Sequence, residues 1–212
     1  MTAGRPRLDP RTTVVPTADA LPGVLPTDRH TANGTPVPEI RADLRRIASY
    51  RNVGSIVLTW AQAIATIWLA VWIGNPLGYA AAFVLMGPAH ARFASLGHEA
   101  AHRLLFTNKR ANDFVGRWLI AYPSFFPFDL YRRVHFAHHK DEFGPNEPDL
   151  NLYNGYPVTR ASFWRKMRRD ALGSSGWKNL KTLLRGLGVS FARPTVIRIL
   201  VAQLPLIVAA IV

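Results

Sequence analysis

The chain has 212 residues, 49% of them hydrophobic, and a formal net charge of +13 from 26 Lys and Arg against 13 Asp and Glu. It has 0 Cys, which excludes disulfides and thiolate ligands; any metal must be held by His, Asp, Glu or backbone oxygen. The length would suit one or two soluble domains, but the placement of charge points to a membrane instead.

Residues 1–40 hold Pro6, Pro10, Pro16, Pro22, Pro26, Pro36 and Pro38 with few aromatics, the composition of a disordered tail. No apolar core follows the first basic residues, so this is no signal peptide. Asp9, Asp19 and Asp28 argue mildly against an organellar transit sequence. Glu39–Tyr50 then reads as a short amphipathic helix. Its Ile40 and Leu44 suit lipid headgroups and its Arg41, Arg45 and Arg46 suit phosphates, although a plain surface helix fits the same pattern.

Between Arg51 and Arg92 lie 40 residues without Asp, Glu, Lys or Arg. As helix they reach about 60 Å, two crossings of a ~30 Å hydrocarbon core. "GNP" at Gly74–Pro76 interrupts them near the middle. The pattern predicts a membrane hairpin with one helix over Ile56–Ile73 and another over Leu77–Leu96. A soluble buried hairpin is the alternative, but it would show a polar face, and here Ser, Thr and Gln are only scattered. Trp60, Trp68 and Trp72 can serve as interfacial anchors.

A polar break, "TNKRAND", separates His98–Phe106 from a second apolar stretch, Phe114–Tyr131. Arg117, Pro123 and Pro127 interrupt that stretch, so it is expected to be re-entrant or interfacial. From Arg160 to Arg198 there are 10 basic residues and one acid, Asp170. This density permits nucleic-acid binding in isolation. Beside membrane segments it reads as cytoplasmic surface under the positive-inside rule, and no nucleic-acid partner is expected. Pro194–Val212 begins a third apolar helix, but only 14 residues follow Arg198, fewer than the ~20 a crossing needs. The expectation is that the chain stops inside a membrane segment.

Five of the 7 histidines sit in two words, "HEAAH" at His98–His102 and "HFAHH" at His135–His139. On a helix, His98 and His102 lie one turn apart on one face. His135, His138 and His139 fall within about a third of the helix circumference. Clustered imidazoles repel each other's protons, a cost that a metal offsets, and neutral imidazole suits iron, zinc, copper or nickel. "HEAAH" also fits the zinc-protease word HExxH, with Glu99 as general base, so a membrane zinc protease is a competing reading.

"GHEAAHRLLF", a proline-broken apolar segment and "RRVHFAHHKDEFGPNEPDLN", with Pro148–Asp149, together resemble the membrane fatty acid desaturase superfamily over roughly residues 50–212. The resemblance implies an all-α integral membrane protein, with a transmembrane helical hairpin plus cytoplasmic histidine-bearing helices. It divides the chain into a 1–40 tail and a 41–212 desaturase-like domain, truncated at its C-terminus. It implies two irons held by His98, His102, His135, His138 and His139. The activity implied is O2-dependent desaturation of a fatty acyl chain. The substrate would be a membrane lipid or an acyl group on a carrier, with electrons from ferredoxin, a flavoprotein or cytochrome b5. Hydroxylation or ketolation of lipids or carotenoids, and a non-catalytic membrane partner role, stay open. Glu99, Asp141, Glu142, Asp149 and His90 stand as supporting residues, His90 by preference as a satisfied polar contact. Asp129, Arg132 and Arg133 stand as substrate or surface contacts. The family pattern has a third histidine box, and no histidine follows His139. The expectation is therefore a chain that is incomplete relative to the family and inactive alone.

Overall fold

The computed structural model describes residues 28–31, 35–142, 144, 146–149 and 156–211. The expected tail over 1–40 falls largely on residues 1–27 and 32–34, outside the described residues. The described chain is almost entirely helical: α1 (Pro38–Leu44), α2 (Ser49–Ile73), α3 (Pro76–Ala101), α4 (Lys109–Val115), α5 (Phe128–Lys140), α6 (Arg160–Ala171), α7 (Ser174–Arg185), α8 (Arg193–Val201) and α9 (Leu204–Ile211). It falls into two compact units, Ile47–Lys140 with Thr182–Val212, and the residues up to Arg46 with Asp141–Lys181.

The first unit is built on the α2–α3 hairpin. Its turn is chemically specified. Gly74 takes the left-handed conformation (φ 63) and its N–H closes the helix on the Ala70 carbonyl. Asn75 then caps α3, its side-chain oxygen accepting from the Gly78 N–H at 3.0 Å, and Pro76 occupies the first turn, where no N–H is needed. The buried face of α2 is Ile56, Thr59, Ala63, Thr66 and Ala70, a three-and-four-residue repeat. The small residues among them let the helix axes approach closely. Val57, Leu58, Ile64, Trp68 and Trp72 of α2, and Leu77, Phe83 and Val84 of α3, are exposed.

Among the described helices, only α2 is long and apolar enough to cross a membrane. Its 25 residues span about 37 Å, against a hydrocarbon core of ~30 Å. It begins at Ser49 rather than at the expected Ile56, because the polar residues before Ile56 continue the helix without entering its apolar part. The expected amphipathic helix is correspondingly shorter, ending at Leu44.

The stretch expected to be re-entrant or interfacial, Phe114–Tyr131, contributes several core residues, while Phe114, Leu119, Phe125 and Leu130 stay exposed. After α4 the helix widens into a π-helical turn, Gly116–Ala121, and tightens into a 3-10 turn, Tyr122–Ser124. Ile120, Tyr122 and Phe128 are fully buried, packed with Ala100 and Leu105. Trp60 ties α2 to this segment, its indole N–H donating to the Leu119 carbonyl at 2.8 Å. Gly116 lies at the tightest point. A Cβ there would sit 2.8 Å from the Ala100 Cβ and 3.0 Å from Phe128 Cζ. Gly116→Ala is therefore expected to cost about 1–3 kcal/mol through overpacking, read as a lowered thermal midpoint in detergent. An unchanged midpoint would show that the wall yields.

The expected third apolar helix is two pieces, α8 and α9, broken at Ala202–Gln203. Pro205, in the first turn of α9, has no N–H to continue α8. Gln203 fills the break, its amide donating to the Tyr122 carbonyl at 2.8 Å and the Ile199 carbonyl at 3.2 Å.

In the second unit, Asp141 organises the turn after α5. Its carboxylate accepts from the Asn146 N–H at 2.7 Å, and its carbonyl accepts from the Gly144 N–H at 2.8 Å. A side chain at Gly144 would strike that carboxylate. Thr159 caps α6, its hydroxyl accepting from the Ser162 N–H at 3.2 Å. Ser175 and Asp170 share a short hydrogen bond at the α6–α7 turn.

Candidate metal centre

The last turn of α3 presents His98 and His102, and the last two turns of α5 present His135 and His139. Each pair is spaced i, i+4, which puts both rings on one face of its helix. The two faces meet. One ring nitrogen from each of the four histidines lies within 4.8 Å of the others. His135 is central: its Nε2 is 2.8 Å from Nε2 of His102 and 3.1 Å from Nε2 of His139, and its ring centroid is 4.6 Å from that of His98. Two nitrogens each ~2.0–2.1 Å from one ion, at right angles, sit about 3 Å apart. The donor set therefore fits a nitrogen-ligated metal.

Tyr131 stacks on His135 at 5.1 Å and Phe136 meets His102 edge-on at 5.5 Å, so aromatic walls flank the rings. Burial, and then the neighbouring imidazoles His98, His139, His102 and His138, push the His135 pKa down to about 4. Burial, and then His98 and His139, also lower His102. Both rings are neutral at pH 7 and present lone pairs, as metal ligation requires.

The remaining expected residues are placed as follows. The His138 ring is 6.1 Å from that of His135, and its nitrogens are not among the four convergent ones. Glu99 Oε1 lies 3.3 Å from His98 Nδ1, able to orient that ring from behind. His90 is exposed on α3, two turns before His98 and about 12 Å along the axis. Asp129 takes a double hydrogen bond from Arg117, the shortest 2.7 Å. Arg132 is turned inward, donating to Asp113 at 2.7 Å and to the Ala100 carbonyl at 2.9 Å, while Arg133 is exposed. Asp141 is engaged in its own turn; Glu142 is exposed and Asp149 partly so.

Sequence reasoning passed over Asn112 and Asp113, which sit inside the "TNKRAND" break. Asn112 is fully buried; its side-chain oxygen accepts from the Leu105 N–H at 3.0 Å and its amide donates to the Ala100 carbonyl at 2.9 Å. Asp113 accepts from Arg103 at 2.9 Å as well as from Arg132. Arg103 follows His102 directly and Arg132 precedes His135 by one turn. One dipeptide thus ties both histidine helices together. The available signal was a cluster of side chains able to bond backbone beside a histidine word, but polar breaks of this kind are usually plain loops.

Convergent imidazoles beside a helix long and apolar enough to cross a membrane define the class: an α-helical protein with a candidate nitrogen-ligated metal site. Within that class, the chain belongs to the fatty acid desaturase family, whose model matches residues 74–212. It is 31% identical over 104 residues to the chloroplastic omega-6 fatty acid desaturase of Glycine max, covering 49% of this chain and 23% of that protein. It is 29% identical over 133 residues to the sn-1 oleoyl-lipid 12-desaturase of Anabaena variabilis, covering 60% of this chain and 34% of that protein. The chain thus spans about a quarter to a third of the length of these curated relatives. No solved structure matches it.

Proposed function

We propose that this chain carries part of the metal centre of an O2-dependent lipid desaturase, which introduces a double bond into a fatty acyl chain. The observation behind this reading is the four-histidine cluster at the end of the α2–α3 hairpin, inside the region matched by the family model. Desaturation is preferred to hydroxylation or ketolation because both relatives above are named as desaturases. A zinc protease fits the site less well: Glu99 faces a ligand ring, and four imidazoles converge where a protease needs two.

In this reading α2 and α3 both cross the bilayer, and the histidine ends face the cytoplasm. His98, His102, His135 and His139 hold iron, with His138 as a fifth ligand. When bound, a pair of irons would supply the oxidising chemistry that unactivated C–H bonds require, with electrons from a ferredoxin, flavoprotein or cytochrome b5. The chain's own residues orient and insulate. Glu99 holds His98, Tyr131 and Phe136 wall the rings, and Asp129 and Arg132 fix α5. Asp141, Glu142 and Asp149 lie beyond the ligands in sequence as outer supports, and Arg133 is free to meet a headgroup or an acidic donor. An acyl chain enters most easily from the lipid that surrounds the hairpin.

Five imidazoles are fewer than the resemblance implies for two irons, so these 212 residues are expected to bind iron without turnover on their own. The test is to purify the chain from an iron-replete host, count metal per polypeptide, and profile host lipids for new double bonds. Bound iron with unchanged lipids is the expected result. Stoichiometric zinc with no iron overturns the desaturase reading; new double bonds overturn the expected lack of turnover.

A further inference from the structure

The helices after the histidine words carry a feature that the metal chemistry does not use. On α6, Phe163, Trp164, Met167 and Ala171 occupy an arc of about 100°; beyond Trp164 the helix turns basic, with Arg168 bordering the arc, Arg165 next and Arg169 farther round. Trp164 is 68% exposed, Leu172 in the turn 74%, and Trp177 on α7 65%. Neither helix has a buried residue. From Arg160 to Lys181 seven Lys and Arg face a single acid, Asp170, which is held by Arg169 and Ser175. Beside Trp164 there is an open recess of about 360 Å³ lined by Ala161, Trp164, Arg165 and Arg168. Two guanidinium side chains one turn apart next to an exposed indole suit a phosphate ester whose acyl chains lie alongside.

We propose that α6 and the first turns of α7 lie on an anionic lipid leaflet. Trp164, Leu172 and Trp177 enter its acyl boundary, and Arg165 and Arg168 take a phospholipid phosphate. Charge alone would suit an acidic protein or a nucleic acid equally well. The exposed indoles and Leu172 decide for lipid, because a bilayer surface offers apolar depth directly beneath its charge. The chain also already holds a helix able to cross a membrane.

The chain contains 0 Cys, so single cysteines can be introduced cleanly. Leu172→Cys and, on the far side of α7, Asn179→Cys in the full chain are labelled with an environment-sensitive fluorophore. Each is reconstituted in phosphatidylcholine vesicles with or without phosphatidylglycerol. With phosphatidylglycerol, the probe at 172 should be quenched several-fold more by a shallow lipid-borne nitroxide than by aqueous iodide, and the probe at 179 the reverse. Each basic residue at such a surface is worth about fivefold in partitioning, so adding Arg165→Glu and Arg168→Glu should lower the lipid-bound population roughly a hundredfold or more. Arg165→Lys with Arg168→Lys should largely keep it. Iodide access at 172 in both lipids overturns the proposal. So does shielding from both quenchers, which would mean that protein covers the face. Quenching that ignores phosphatidylglycerol and the charge reversals overturns the phosphate site. Insertion of α2 is common to every arm, and iron content is unaffected by any of them.

Discussion

Replacing His135 by alanine is expected to abolish stoichiometric metal binding, while His138→Ala weakens it far less. His135, like His102, lies close to all three other members of the cluster, and it alone has nitrogen contacts to two of them: 2.8 Å to His102 and 3.1 Å to His139, with its ring centroid 4.6 Å from that of His98. Loss of a mere outer contact lowers metal affinity ~10–100-fold, and loss of the central ligand must exceed that. Acid should reproduce the effect only late. His135 stays neutral at pH 7, so protons compete with a metal there only as the pH approaches about 4. The sign for the metal-free fold follows from linkage. A pKa lowered from 6.5 to about 4 leaves stability complete above pH 6.5 and erodes it between those values, because the unfolded chain takes up the proton first. Metal titration of the variants, with histidine NMR on the metal-free chain, reads both effects. Equal metal affinity in wild type and His135→Ala would remove the cluster as the centre.

The second large effect is expected at a residue that touches no metal. Asp113→Asn should lower the unfolding free energy by about 2–4 kcal/mol and reduce metal affinity ~10–100-fold. Asp113 and Arg132 are each only 15% exposed, so removing the charge strands a guanidinium that sits 4.6 Å over the Phe128 ring. Burial pushes the Asp113 carboxyl up, but the hydrogen bonds from Arg132 and Arg103 outweigh it and hold it well below the usual carboxylate range. Its contribution is therefore present throughout the neutral and mildly acidic range and is lost only as pH falls through that low value; mutation reaches what acid cannot. Arg103 contributes differently. It closes α3 in the left-handed conformation (φ 60), where glycine is the usual residue. The Leu104 N–H returns to the Glu99 carbonyl at 2.9 Å and the Arg103 N–H to the Ala100 carbonyl at 3.0 Å. The pair with Asp113 helps hold a conformation that arginine disfavours. Arg103 is half exposed, so Arg103→Ala should cost less than about 1 kcal/mol through the ion pair. Thermal unfolding of Asp113→Asn and Arg103→Ala side by side distinguishes a clasp from a surface charge cluster; similar midpoints would refute it.

The long helices and the histidine faces were legible in the sequence because each rests on one-dimensional information. A charge-free run, a Gly-Asn-Pro turn and an i, i+4 pair all mean the same thing in almost any context. The convergence of four ring nitrogens, with the His138 ring set apart from them, was not legible. On a bare helix wheel His138 and His139 flank His135 almost equally, and only the approach of α3 selects His139. The clasp was hidden for a related reason. Asn112 and Asp113 acquire their meaning from a carbonyl at Ala100 and a guanidinium at Arg132, and neither proximity can be read from spacing. In the proline-broken stretch, Pro123 and Pro127 signal the end of a regular helix but not what surrounds it; here they bracket a partly exposed turn between the buried Tyr122 and Phe128.

One contact inside the hairpin bears on how the protein is made. Arg92 of α3 donates to the side chain of Gln62 on α2 at 2.7 Å, and the Gln62 amide in turn donates to the Leu85 carbonyl at 3.3 Å. An arginine within a nascent segment disfavours its release into lipid, by up to ~2.5–3.5 kcal/mol when it lies at the centre and by less toward an end. α2 carries no such burden beyond Arg51 and can partition by itself. Under the proposed hairpin topology, α3 would then wait at the translocon until α2 is there to receive its guanidinium. Biogenesis would proceed by paired rather than sequential entry, with Gln62 serving as the docking partner that α3 needs before it can leave water.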